Sequence, residues 1–195
     1  MRRSVILLLP FALLASSCQR EQPAAKNAAI DNATATEAAG PQKGVDRSHK
    51  GKPVPDVAFH DPDGGDISLD DFRGTPELLN LWATWCAPCV KELPTLNAVA
   101  RSHDKDGSLG VVAVSQDTGP QSSVEAFLGK IKVDDLGAYH DPKMALSAAL
   151  GAEVMPTTIL IDAQGKEVWR YVGDLDWTGE EARKLLAEAG APKAH

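Results

Sequence analysis

The run Leu78-Leu79-Asn80-Leu81-Trp82-Ala83-Thr84-Trp85-Cys86-Ala87-Pro88-Cys89 constrains this chain more than any other segment. An apolar stretch of strand length delivers two cysteines, separated by two residues, to the expected start of a helix. That geometry suits a thiol that ionises, attacks a disulfide and is then resolved by a near neighbour. A helix N-terminus carries partial positive charge and free backbone N–H groups, which stabilise a thiolate at Cys86. Pro88 costs little there, because a first-turn amide has no acceptor within its helix. Half of a zinc site is the competing reading, and it needs two more Cys or His ligands at metal-like spacing. The remaining cysteine, Cys18, is far away in sequence, and the five histidines are scattered singly. No metal ligand is assigned.

The ends of the chain speak to compartment. Residues 1–17 read as a signal peptide: Arg2 and Arg3 precede a short apolar stretch, residues 5–15, ending in small residues. That stretch is too short for a spanning helix, which needs about 20 apolar residues. Leu14-Ala15-Ser16-Ser17-Cys18 is similar to a bacterial lipoprotein signal, in which the cysteine is lipidated and starts the mature chain. It departs from the usual pattern in having Ala15 three residues before the cysteine, and an ordinary signal-peptidase site fits the same residues. Either way the protein leaves the cytoplasm for a periplasmic or other extracytoplasmic compartment, where disulfides persist. Residues 18–52 are rich in Ala, Asn, Thr, Gln and Lys without an aromatic. Such a stretch cannot bury enough apolar surface to offset its ordering entropy, so a disordered tether reaching roughly 30 Å is expected. Residues 53–190 have the length of one domain, with a short tail at 191–195. A formal charge of −7 argues against nucleic acid as a partner.

Within the domain, residues 57–59 and 67–69 flank a turn-rich segment and read as a hairpin. Strands are expected at 78–82, 109–115 and briefly within 136–140. Helices are expected at 87–103, 122–130 and 142–150. A second hairpin pairs 157–161 with 167–172, and a terminal helix covers 177–189. Strands alternating with helices, then a closing hairpin and helix, give an α/β sheet covered on both faces.

The segment Leu79 through Pro94, with Trp85-Cys86-Ala87-Pro88-Cys89 at its centre, resembles the TlpA/ResA branch of the thioredoxin superfamily. Val154-Met155-Pro156-Thr157-Thr158-Ile159-Leu160-Ile161-Asp162 is similar to that branch's cis-proline loop and following strand. The resemblance implies a thioredoxin-like fold: a central mixed sheet with helices on both faces, an N-terminal β-hairpin and a central inserted helix and strand. It also implies an extracytoplasmic thiol–disulfide oxidoreductase without a cofactor. Such proteins often act as reductants in cytochrome c maturation or copper-site assembly. Its partners would be disulfide-containing extracytoplasmic proteins and a transmembrane thiol transporter that supplies electrons.

Cys86 is the expected nucleophile and Cys89 the resolving thiol, cycling through a Cys86–Cys89 disulfide. Ala87 and Pro88 tune the couple. Glu92, three residues beyond Cys89, lies on a neighbouring helix face and is expected to take the Cys89 proton, as the resemblance implies. The bland alternative is an acidic residue favouring the positive end of its helix. Asn80 reads as a hydrogen-bonded core residue. Met155 and a cis Pro156 are expected beside the cysteines, presenting backbone to an extended substrate segment. Trp85 reads as an exposed apolar lip, whereas Trp169 and Trp177 read as packing residues. Pro94 should kink the first helix. Glu153 reads as a solvated charge, and His60, His103 and His140 receive no ligand role.

Two alternatives stay open. A thiol oxidase that introduces disulfides uses the same pair, although the strong oxidant DsbA has proline–histidine between its cysteines. A copper-binding assembly factor on the same fold typically spaces its cysteines by three residues and adds a later histidine; here two residues intervene.

Overall fold

The computed structural model describes residues 42–103 and 107–190. At its centre is strand β4 (Glu77–Trp82), all of whose residues are buried. Successive strand side chains point to opposite faces. Leu78 and Trp82 therefore join one apolar cluster, while Leu79 and Leu81 join another. A strand buried on both faces reads as a near-continuous apolar run. β5 (Gly110–Ser115) runs parallel to β4 on one side, and β7 (Thr157–Ile161) runs antiparallel on the other. Strands β1 (Gly44–Asp46), β2 (Phe59–His60), β3 (Asp66–Ile67), β6 (Tyr139–His140) and β8 (Glu167–Val172) complete the sheet. Its order is β1-β8-β7-β4-β5-β6-β2-β3.

Helices α1 (Ala87–His103), α2 (Gln121–Lys130) and α4 (Glu180–Leu186) place Leu93, Leu96, Val124, Leu128, Ala182 and Leu185 in the first cluster. Helix α3 (Ala145–Leu150) covers the other face with Leu146 and Leu150, beside Phe59 and Leu69. Burying each such leucine stabilises the fold by about 1.5–3 kcal/mol. The result is a thioredoxin-like α/β architecture: a mixed sheet with helices on both faces, the β2–β3 hairpin, and α2 and β6 inserted after β5.

Several boundaries differ from the sequence reading. The tether was expected to run to residue 52, yet Gly44–Asp46 forms an edge strand whose register pairs Gly44 with Val172 and Asp46 with Arg170. Further along, Gly51 N–H donates to Glu167 O at 2.7 Å, and Glu167 N–H to Lys52 O at 3.0 Å. These contacts are made by backbone, and Val45 alone adds an apolar side chain to the first cluster. A composition argument is blind to a strand held in that way. Helix α3 starts at Ala145 and not Pro142, because Met144 takes a left-handed conformation with φ 53°. Helix α4 starts at Glu180 and not Trp177, since residues 176–179 form a turn closed by Gly179 N–H to Asp176 O. Pro94 lies inside α1, where it lacks the N–H that would bond the preceding turn. The leader, Cys18, most of the tether and the 191–195 tail lie outside the described residues.

Candidate active site

β4 ends at Trp82, and after four intervening residues the chain enters α1 at Ala87. Cys86 N–H donates to Ala83 O at 3.1 Å, and Val90 N–H to Cys86 O at 3.0 Å, so Cys86 sits at the cap of α1. Its sulfur accepts the Cys89 N–H at 3.4 Å. One otherwise orphaned first-turn donor is therefore aimed at the atom that carries charge in the thiolate. Cys86 and Cys89 are joined as a disulfide, with their Cα atoms 5.3 Å apart. The two residues are both buried, Cys86 retaining 7% exposure and Cys89 none. Ala87 and Pro88 between them are exposed.

The loop leading to Cys86 is fixed from β5. Asp117, just beyond that strand, accepts the Thr84 N–H at 2.9 Å and the Thr84 hydroxyl at 2.7 Å. The same carboxylate accepts the Ser115 hydroxyl at 2.7 Å. Trp85, next in the chain, projects into solvent with 66% exposure. Trp82, by contrast, is fully buried against Phe127 of α2. The Met155–Pro156 bond is cis. Pro156 immediately precedes Thr157, which pairs with Leu81, so this loop meets the sheet at the end from which Cys86 emerges. Met155 packs against the cluster containing both cysteines.

Glu92 lies one turn after Cys89 and is 2% exposed. Its carboxylate accepts Asn80 Nδ2–H at 2.8 Å, Leu175 N–H at 3.1 Å and Trp177 Nε1–H at 3.2 Å. Burial disfavours the charged carboxylate, while the three donors favour it. Burial prevails, and the pKa is pushed up to about 7. A group poised there accepts or gives a proton near neutral pH. The burial sets Glu92 apart from a solvated helix-end acid. Asn80 spends its second amide hydrogen on Thr158 Oγ1 at 2.9 Å, which fixes the face it turns to Glu92.

Cys86, Ala87, Pro88, Cys89 and Glu92 thus lie along the start of α1, the Met155–Pro156 loop meets the sheet at the same end, and Trp85 is exposed beside Cys86. Asp117, Leu175 and the donor role of Trp177 escaped the sequence reading. Leu175 and Trp177 reach Glu92 across 83 and 85 residues, and no local spacing announces such a contact. Glu153 is exposed, as expected for a solvated charge. Among the described residues, no group of three His, Cys, Asp or Glu side chains converges as a metal site. Among them also, no helix is long and apolar enough to cross a membrane.

A family model described as Redoxin matches residues 49–186, most of the chain. The chain belongs to the redoxin family. This redoxin is 34% identical over 116 residues to the thiol-disulfide oxidoreductase ResA of Geobacillus thermodenitrificans, covering 60% of the chain and 65% of that relative. The chain therefore spans just under two thirds of that relative's length. Against ResA of Bacillus subtilis the identity is 31% over 132 residues, covering 68% and 72%. Among solved structures, a protein assigned as the thiol:disulfide interchange protein DsbE of Chlorobium tepidum superposes with a TM-score of 0.63. It is 30% identical, over 72% of this chain and 98% of that one. A secreted thiol-disulfide isomerase from Corynebacterium glutamicum superposes with a TM-score of 0.58 at 25% identity, over 70% and 82%. The redoxin domain is a ResA-like member of the thioredoxin superfamily, a thiol–disulfide oxidoreductase domain with its cysteine pair at Cys86 and Cys89.

Proposed function

We propose that the protein is an extracytoplasmic disulfide reductase acting on partner proteins. The Cys86 thiolate attacks one sulfur of a client disulfide; an S–S bond forms to Cys86, the client S–S bond breaks, and one client thiolate leaves. Glu92 takes the proton of Cys89, whose thiolate then attacks the Cys86 sulfur. The Cys86–Cys89 disulfide forms, the mixed disulfide breaks, and the second client thiolate leaves to be protonated. The client gains two electrons and the redoxin loses two. Trp85 and Ala87–Pro88 form the docking rim, and the Met155–Pro156 loop offers backbone to an extended client segment.

The observation that carries this reading is the unequal setting of the two sulfurs. Cys86, at the cap of α1, keeps slight exposure and has a backbone N–H on its sulfur, and Cys89 is fully buried one turn from a buried carboxyl. The clients are disulfide-bearing proteins of cytochrome c maturation or copper-site assembly, as the TlpA/ResA resemblance implies. A membrane thiol transporter returns the two electrons. Cleavage of the 1–17 leader places Cys18 at the new N-terminus, where lipidation tethers the domain to the membrane; a membrane-partitioning mature chain with added acyl mass, lost in Cys18→Ser, is the expected result. Stable anchoring takes more than one acyl chain, so the modification is a full lipoprotein one.

A Cys89→Ser variant in its native envelope should accumulate mixed disulfides through Cys86 with the clients. Equilibration with a glutathione buffer should place the couple nearer thioredoxin's approximately −270 mV than DsbA's approximately −120 mV. A value near the latter, with oxidation of reduced clients preferred, would make the protein an oxidant.

A further inference from the structure

Above Glu92 lies a cavity of about 230 Å³ lined by Lys91, Glu92, Thr95, Asp174, Leu175 and Asp176. That volume has room for several waters among polar partners. Asp174 stands at its edge and is gripped from two directions. Lys43 Nζ donates to its Oδ1 at 2.7 Å, and Lys91 Nζ to its Oδ2 at 3.4 Å. The lysines are exposed and Asp174 is partly buried, so these pairs contribute little to stability. Their consequence is the charge that faces the cavity.

Lys43 comes from the segment just ahead of β1, and the local backbone is shaped to receive it. Gly173 has φ +95°, and a Cβ built there would come within 3.0 Å of Lys43 Cγ. The pairing of Gly44 with Val172 then sets Lys43 across the start of the 173–176 loop. The next residue after Asp174, Leu175, is the one whose N–H bonds Glu92. One short loop thus holds both a donor to Glu92 and the acid paired with the two lysines.

We propose that the proton accepted by Glu92 leaves through this cavity, and that Asp174, Lys43 and Lys91 are positioning residues that set the pH at which Glu92 releases it. The step is balanced simply: the Glu92 carboxyl gives its proton to a water in the cavity, the proton passes to solvent, and a carboxylate remains. The proposal rests on the reading of Glu92 as proton acceptor. The charged and titratable groups facing Glu92 are Lys91 from α1, Lys43 from ahead of β1, Tyr171 from β8, and Asp174 and Asp176 from the loop after it. Burial, first of all, holds the Tyr171 phenol above its ordinary value, so it stays neutral near pH 7. The Lys43 hydrogen bond, above all, holds the Asp174 carboxyl below the usual range, and the Thr178 hydrogen bonds do the same for Asp176. Around neutral pH these acids and Lys43 are fixed charges, and Glu92 is the group that moves.

The test is carbon-13 titration of side-chain-labelled glutamate in the oxidised full-length protein, in which neither Cys86 nor Cys89 titrates. The Glu92 resonance is identified by its loss in Glu92→Gln. Asp174→Asn should lower the Glu92 midpoint by about half a pH unit, the scale of one unit charge acting through a wet cavity. Lys43→Met and Lys91→Met should raise it by a similar amount, and Asp174→Glu should restore the wild-type midpoint. Arg47→Met removes a different anchor of the same segment, the 2.6 Å pair with Glu188, and should leave the midpoint in place. Midpoints that stay fixed, or that move the same way in Asp174→Asn and Lys43→Met, would overturn the proposal while leaving Glu92 as acceptor. Should Glu92→Gln leave the exchange rate and its pH profile unchanged, the acceptor reading itself fails.

Discussion

Glu92 and Glu77 are both buried carboxyls, one on α1 and one at the start of the central strand, and their surroundings differ sharply. Glu77 opens β4, and its Oε2 atom has no hydrogen-bond partner. That oxygen lies so close over Gly110 that a Cβ there would collide with it. Burial alone pushes its pKa up to about 8. Glu92 is equally sealed from bulk solvent, yet three N–H groups converge on it, a cysteine lies one turn away and a cavity opens beside it. A raised pKa is thus no mark of function by itself. Donors that hold a carboxylate in place, a neighbouring cysteine and an adjoining cavity are what distinguish Glu92, the proposed proton acceptor, from Glu77.

The largest effect expected from this contrast is kinetic. Glu92→Gln should slow disulfide turnover at neutral pH by about 100-fold, the lower range for a general acid–base group. Glu77→Gln should turn over at the wild-type rate. Steady-state reduction of a model disulfide measures both, and parallel losses would break the comparison.

A third buried carboxylate sharpens it on the stability side. Glu167 is held in a two-point pair by Arg170, with Nε–Oε1 and Nη2–Oε2 distances of 2.7 Å each. Glu167→Ala strands a buried guanidinium and should cost about 3–5 kcal/mol in chemical denaturation. A cost below about 1 kcal/mol would show that the pair is open to solvent.

The next effect is a slope of stability with pH. Both Glu77 and Glu92 have folded pKa values raised above the ordinary value of 4.5, to about 8 and about 7. Between those limits the folded state binds more protons than the unfolded one, so stability falls as pH rises. The proton-linked stabilisation is full below about pH 4.5; it is lost through pH 7 for Glu92 and through pH 8 for Glu77. The combined loss is on the order of 8 kcal/mol. Glu77→Gln should halve the slope of melting temperature below pH 7 and abolish it between pH 7 and 8, while Glu92→Gln should halve it below pH 7 and leave it in place between pH 7 and 8. A wild-type melting temperature that rises from pH 5 to pH 8 would contradict the sign.

Much of this was legible in the sequence because it is carried by local pattern. The apolar run before Cys86 gives the buried strand, and the hairpin at 157–161 and 167–172 agrees with β7 and β8 residue for residue. The two-residue spacing of the cysteines places them at the first turn of α1. What escaped is carried by backbone or by distant partners. β1, with Val45 as its one apolar residue, is held by backbone bonds along the free edge of β8. Asp117 acts on Thr84 across 33 residues, and Asp174 meets Lys43 across 131. Such contacts follow from the folded topology and have no period along the chain. Glu92 stood between the two cases: its spacing from Cys89 was visible, and its burial was not.

The central claim is that Glu92 takes the proton of Cys89 when the mixed disulfide is resolved. Stopped-flow mixing of reduced protein with a client disulfide separates attack by Cys86 from resolution by Cys89, and the second phase can be followed against pH. The account predicts a resolution rate that rises with a midpoint near 7 in the wild type. In Glu92→Gln the midpoint should move toward the ordinary thiol value of about 8.5. A resolution phase with the same rate and midpoint in both proteins would contradict it.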